Sequence, residues 1–227
     1  MKILSVLFQG VTALDLIGPT TAWGLIPDME FQTVARTAGP VKVDMGLEIV
    51  ATHNLDNCWS SPDVLFVPGG GRGVFDALQD DQLLDGIARI GGQAGWVTSV
   101  CTGALLVGAA GLLKGYRTTC YWYARPHVAA FGAIPDQGRI VIDRNRASGG
   151  GVTSGIDFAL AMISKWAGSE KGQLAELLIE YAPRPPFGVG RPELASSGTL
   201  AAAESILAQE MPVALVERAA RRRGFIR

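Results

Sequence analysis

Histidine is nearly absent from this chain of 227 residues: only His53 and His127 occur. Cysteine is scarce too, with Cys58, Cys101 and Cys120 at irregular spacings and no Cys-x-x-Cys pair. Zinc centres and disulfide frameworks both need closely spaced or paired ligands, so neither is expected, and no other metal or organic cofactor is called for. No apolar run reaches the roughly 18 residues that span a bilayer. The chain opens Met1-Lys-Ile-Leu-Ser-Val-Leu-Phe8 without the cleavage pattern of a secretory signal, which predicts a reduced, cytoplasmic protein. The formal net charge is −1, so no broad cationic field invites nucleic acid or an anionic membrane surface. The exception is Arg218 with Arg221, Arg222 and Arg223, which reads as a solvated helix end or a partner for the helix dipole.

What the chain has in quantity is core material. Hydrophobic residues make up 48% and charged residues 18%, enough for one α/β domain over 1–227 with a C-terminal helical extension at about 196–223. Strands are predicted at Lys2 to Phe8, Phe31 to Ala35, Asp63 to Pro68, Val97 to Val100 and Arg139 to Asp143. A hairpin is expected from Val41 to Ala51 with its turn at Met45-Gly46. Gln9 to Pro19 reads as turn-rich, with Gly18 as cap and Pro19 at the first position of a helix to about Leu25. Further helices are predicted over Val74–Ile90, Thr102–Leu113, Trp122–Phe131, Ile156–Trp166, Glu170–Tyr181 and Leu200–Arg223, the last interrupted near Pro212. Strands alternating with helices predict a doubly wound, mostly parallel sheet with helices on both faces.

The chemistry gathers where parallel strands end. In Gly95-Trp-Val-Thr-Ser-Val-Cys101-Thr-Gly-Ala-Leu-Leu, a β-branched run stops at a cysteine and a small-residue helix follows. A nucleophile elbow reads this way, and the helix N-terminus is expected to lower the thiol pKa. A buried structural cysteine fits the same segment. Pro68-Gly-Gly-Gly-Arg-Gly73 lacks the P-loop lysine and the dinucleotide glycine spacing. It suits either a tight turn or an oxyanion hole, with the Thr102 N–H as a further donor. Asp15, set among Leu14, Leu16 and Ile17, is a candidate acid/base, since apolar surroundings raise a carboxyl pKa. A Cys–His dyad requires one of the two histidines to reach Cys101, and a satisfied surface histidine is the simpler reading of His127. The residues favour cysteine chemistry assisted by a carboxylate.

Four segments together resemble the ThiJ/PfpI superfamily: Leu14-Asp-Leu-Ile-Gly-Pro19, Phe66-Val-Pro-Gly-Gly70, Ser99-Val-Cys-Thr-Gly-Ala-Leu-Leu-Val-Gly-Ala-Ala-Gly-Leu-Leu113 and Gly149-Gly-Gly-Val-Thr-Ser-Gly-Ile-Asp157. They run in order over about residues 1 to 182. The resemblance implies a flavodoxin-like fold of the class I glutamine amidotransferase type. Within the superfamily the chain is most similar to the isonitrile hydratases, a likeness that extends to Glu180-Tyr-Ala-Pro-Arg-Pro-Pro-Phe187. It implies Cys101 as nucleophile, Asp15 as acid/base, Gly70 and Thr102 as donors around the sulfur and bound group, and Val152 as a pocket residue opening the helix at Thr153. It also implies a small-molecule substrate and a homodimer. Trp122 and Phe187 are further wall candidates. Alternatives are a non-enzymatic redox protein with an oxidisable cysteine, and a ligand-binding regulator. Where relatives often read Thr-Thr-His-Trp, this chain reads Thr119-Cys120-Tyr121-Trp122, which argues against peptide hydrolysis.

Overall fold

The computed structural model describes residues 1–227. The strands are β1 (Lys2–Val6), β2 (Glu30–Ala35), β3 (Gly39–Lys42), β4 (Glu48–Ala51), β5 (His53–Asn54), β6 (Val64–Val67), β7 (Trp96–Val100), β8 (Arg117–Thr118), β9 (Ile134–Pro135), β10 (Ile140–Asp143) and β11 (Arg146–Gly149). The helices are α1 (Ala13–Trp23), α2 (Arg72–Ala77), α3 (Asp81–Gly91), α4 (Gly103–Ala109), α5 (Ser154–Ala167), α6 (Ser169–Leu178), α7 (Ser197–Glu210) and α8 (Ala214–Arg222). A seven-stranded sheet has the order β10-β11-β7-β6-β1-β2-β5. Only the edge strand β10 runs antiparallel, to β11, as in a flavodoxin-like α/β fold. No single helix is long and apolar enough to cross a membrane.

The central strands are apolar on both faces because helices cover both. Ile3, Leu4, Val6 and all of Val64–Val67 are fully buried, each contributing about 1.5–3 kcal/mol of transfer free energy. α1, α5 and α6 pack on one another, while α4 meets α2, α3 and α8. Trp23 ties α1 down: its ring meets Phe66 edge-on at 5.0 Å, and its Nε1 donates to the Ala159 carbonyl at 3.2 Å.

Several elements differ from expectation. α1 starts at Ala13, so Gly18 and Pro19 lie inside a helix and cap nothing. Pro19 removes the N–H that would bond the Asp15 carbonyl, and its ring faces Gly155 of α5. The helix expected over Val74–Ile90 breaks into α2 and α3, because the Asp80 side chain accepts from Leu83 N–H and starts a new helix. The Trp122–Phe131 helix is a 3-10 helix over Arg125–Phe131. β11 had no forecast at all: its Arg-Ala-Ser-Gly sequence carries no strand signal, yet it pairs with both β7 and β10. The hairpin β3–β4 and the break near Pro212 form as expected.

Candidate functional site

Three chain segments meet beyond the carboxyl ends of β1, β6 and β7. From β7 the chain turns sharply at Cys101, whose φ of 56° lies in the left-handed region that a side chain other than glycine's enters at a cost of about 1–2 kcal/mol. Two carbonyls hold it there: Cys101 N–H donates to Gly150 O at 2.7 Å and to Gly149 O at 3.1 Å. The helix α4 follows at once, and Gly103 permits it, since a Cβ there would lie 2.2 Å from the Val67 carbonyl. The elbow predicted at Cys101 is therefore present as backbone geometry.

Asp15 sits in the first turn of α1 with no exposed surface, and neither carboxyl oxygen has a hydrogen-bond partner. Burial pushes its pKa up from 3.8 to about 7. The Cys101 thiol and Gly69 N–H approach it and pull partly the other way, while the charge of Asp44 adds to the rise. Neither of those two neighbours completes a hydrogen bond with good geometry, which leaves the carboxyl free to bond something else.

The expected lowering of the Cys101 pKa does not occur. Burial dominates and pushes the thiol well above its ordinary value, and the charges of Asp15 and Cys120 push the same way. The Thr102 N–H pulls it down without overcoming them. An isolated thiolate next to a buried carboxylate would place two negative charges in an apolar site, so the resting sulfur keeps its proton.

Thr102 is fully buried. Its hydroxyl donates to Gly70 O at 2.6 Å and accepts from Gly70 N–H at 2.9 Å. The Gly70 N–H, expected to face the sulfur, is thus already committed to Thr102. The glycine that touches the site is Gly69, where a Cβ would lie 2.7 Å from Cys101 Cβ and 2.8 Å from Asp15 Oδ2. Its signal in the sequence is its place as the first glycine after the strand and Pro68.

Val152 lies half-buried in the turn before α5, which begins at Ser154 and not at Thr153. Tyr121 is half-buried, with its ring 3.2 Å from the Cβ position of Gly151, and burial pushes its phenol pKa up, with the charge of Cys101 adding a little. Cys120 is buried, which pushes its thiol up to about 12. Phe187 is 84% exposed and walls no site within this chain. Trp122 is half-buried and meets the Tyr121 ring at a tilt and the Tyr123 ring edge-on. His53 lies on the edge strand β5, bonded to Gln32 and Thr52, and His127 lies in the 3-10 helix. Neither histidine contributes to the electrostatics of Cys101. In the C-terminal basic cluster, Arg222 pairs with Asp81 and Arg223 with Asp85, fastening α8 to α3.

Residues 1–165 match the model of the DJ-1/PfpI family. Isonitrile hydratase of Pseudomonas putida is 42% identical over 200 residues, covering 88% of this chain and 87% of that one. A THiJ/PfpI family protein from Pseudomonas syringae, solved by crystallography, is similar with a TM-score of 0.92 at 38% identity, over 96% of this chain and 90% of that one. The HTH-type transcriptional regulator GbdR of Pseudomonas aeruginosa is 30% identical over 154 residues, 66% of this chain but 41% of its own length.

Proposed function

This chain belongs to the DJ-1/PfpI family, and from that premise we propose that it is an isonitrile hydratase, converting an isonitrile and water into an N-substituted formamide. The observation that carries the reading is the unpartnered, fully buried Asp15 carboxyl beside the Cys101 thiol at a left-handed elbow. Similarity to the Pseudomonas putida enzyme over most of both chains supports it.

An isonitrile, R–N≡C, is electrophilic at its terminal carbon and has little polarity to recognise. With the thiol pKa raised, the pair holds its working proton on sulfur and keeps Asp15 as the base. As the Cys101 sulfur bonds the terminal carbon, Asp15 takes the thiol proton and passes it to that carbon. The triple bond becomes a double bond, and the product is the thioimidate R–N=CH–S–Cys101. Asp15, again a carboxylate, then takes a proton from a water that attacks the thioimidate carbon, and hands it to nitrogen. Collapse forms the formamide C=O and breaks the C–S bond, and the hydroxyl proton returns through Asp15 to sulfur. The Thr102 N–H steadies negative charge on sulfur as it leaves. These steps call on no cofactor.

Val152, Tyr121 and Trp122 are the residues we place around the substrate. Gly70 serves this site through Thr102, as the loop that holds Gly69 against the sulfur. We read the whole chain as one cytoplasmic domain working as a homodimer. Leu14 and Ile17, exposed by 43% and 48% on the helix that carries Asp15, suit a self-contact beside the site.

The test is formamide production from a simple aryl or alkyl isonitrile by the wild type and Cys101→Ala in parallel. Turnover by the wild type alone is expected. No turnover by the wild type, or comparable turnover by Cys101→Ala, overturns the mechanism.

A further inference from the structure

The helix that carries Asp15 has no cap of its own. Thr12 precedes it and makes no side-chain hydrogen bond to its first turn. The missing acceptor comes from the hairpin β3–β4, where Asp44 Oδ1 accepts from Ala13 N–H at 2.9 Å. That hairpin is itself tied to the loop after β1. Asp44 N–H donates to Val11 O at 3.0 Å, and Gly10 N–H donates to Lys42 O at 2.8 Å. Val11 also bridges to Gly70, so the same loop reaches the glycine that Thr102 holds.

We propose that Asp44 is the positioning residue for Asp15, capping from a separate hairpin the helix on which that carboxyl rides. The consequence for turnover rests on the hydratase reading. A cap orders the first turn of a helix, and Asp15 lies in that turn, two residues beyond the bonded Ala13 N–H. The half-buried carboxylate of Asp44 also acts at a distance, since its charge adds to burial in raising Asp15. The titratable groups in electrostatic contact with Asp15 are the Cys101 thiol from the elbow and Asp44 from the hairpin, while the Asp15 charge also raises the Cys120 thiol in the segment after β8. No lysine or arginine figures among the charges that shift it. Asp44 therefore both aims the base and strengthens it for taking a proton from a reluctant thiol.

Asp44→Asn keeps an oxygen acceptor for Ala13 and removes the charge; Asp44→Ala removes both. Two readouts serve: the carboxyl 13C titration of Asp15, assigned by its loss in Asp15→Asn, and the pH dependence of kcat/KM for an isonitrile. For a folded Asp44→Asn, checked by its melting curve, the Asp15 titration and the acid limb of kcat/KM are expected to move together to lower pH. Asp44→Ala is expected to lose about ten-fold in kcat at every pH as well, from misplacement of the base. An Asp15 titration in Asp44→Asn that superimposes on the wild type overturns the charge effect, and full kcat in Asp44→Ala overturns the positioning role. If the wild type hydrates no isonitrile, the hydratase reading fails, while the carboxyl titration still decides the role of Asp44.

Discussion

The Thr102 hydroxyl closes two hydrogen bonds with Gly70, donating to its carbonyl and accepting from its N–H. One side chain on the turn after β7 thereby fixes the loop after β6, and with it the position of Gly69 against Cys101. The turn that carries Cys101 and the loop after β6 are tied together.

Replacing Thr102 with Val keeps the shape and removes both bonds. The buried Gly70 N–H and carbonyl lose their partner, so a loss of about 1–3 kcal/mol is expected in urea unfolding. Activity should fall further than stability, because the loop beside Cys101 is released. Stability equal to the wild type would mean that the loop holds itself.

Gly69→Ala puts a methyl group where Cys101, the Thr102 N–H and Asp15 already stand. The expected result is loss of hydration by at least about a hundred-fold, from displacement of reacting groups on the ångström scale. Overpacking should cost about 1–3 kcal/mol in a thermal melt. Gly198→Ala is the control, since a Cβ there meets nothing within 4 Å and the backbone is helical in α7.

Asp15 makes stability depend on pH in a stated direction. Its pKa rises from 3.8 to about 7 on folding, so between those values the folded chain holds a proton that the unfolded chain has released. Its contribution is therefore most favourable below 3.8 and is lost as pH rises towards about 7, by no more than about 4 kcal/mol. Unfolding curves for Asp15→Asn should lack this decline, and parallel pH slopes in the two proteins would contradict it.

On the proposed mechanism the same group sets the pH profile of turnover. With Asp15 protonated, nothing takes the proton from the Cys101 thiol, so kcat/KM should climb through a pH of about 7 and level off above it. Steady-state kinetics from pH 5 to 9 read this directly, and a profile flat across that span would remove Asp15 as the base.

Parallel strands were legible because burial on both faces makes them continuously apolar, as in Val64–Val67. Cys101 and Asp15 stood out as candidates for a related reason: each is a reactive residue type set in an apolar run, Cys101 just after β7 and Asp15 in the first turn of α1. The start of α1 was misread because Gly18 and Pro19 read as a cap and a first helical position, and packing on α5 carries the helix back through them to Ala13. The β11 strand was missed because its small residues answer to the helix above it, with Gly149 3.1 Å from Phe158 at its Cβ position.

By itself, then, the sequence determined the alternating α/β plan and the sharp turn at Cys101, and it singled out Asp15 as a candidate acid, since these depend on local patterning. The tertiary structure alone decided which glycine packs against Cys101 and that burial raises the thiol pKa instead of the helix N-terminus lowering it. It also decided that the acid's helix is capped by a residue 31 positions away. Those outcomes turn on burial and on contacts between distant segments, which no local pattern of residue types encodes.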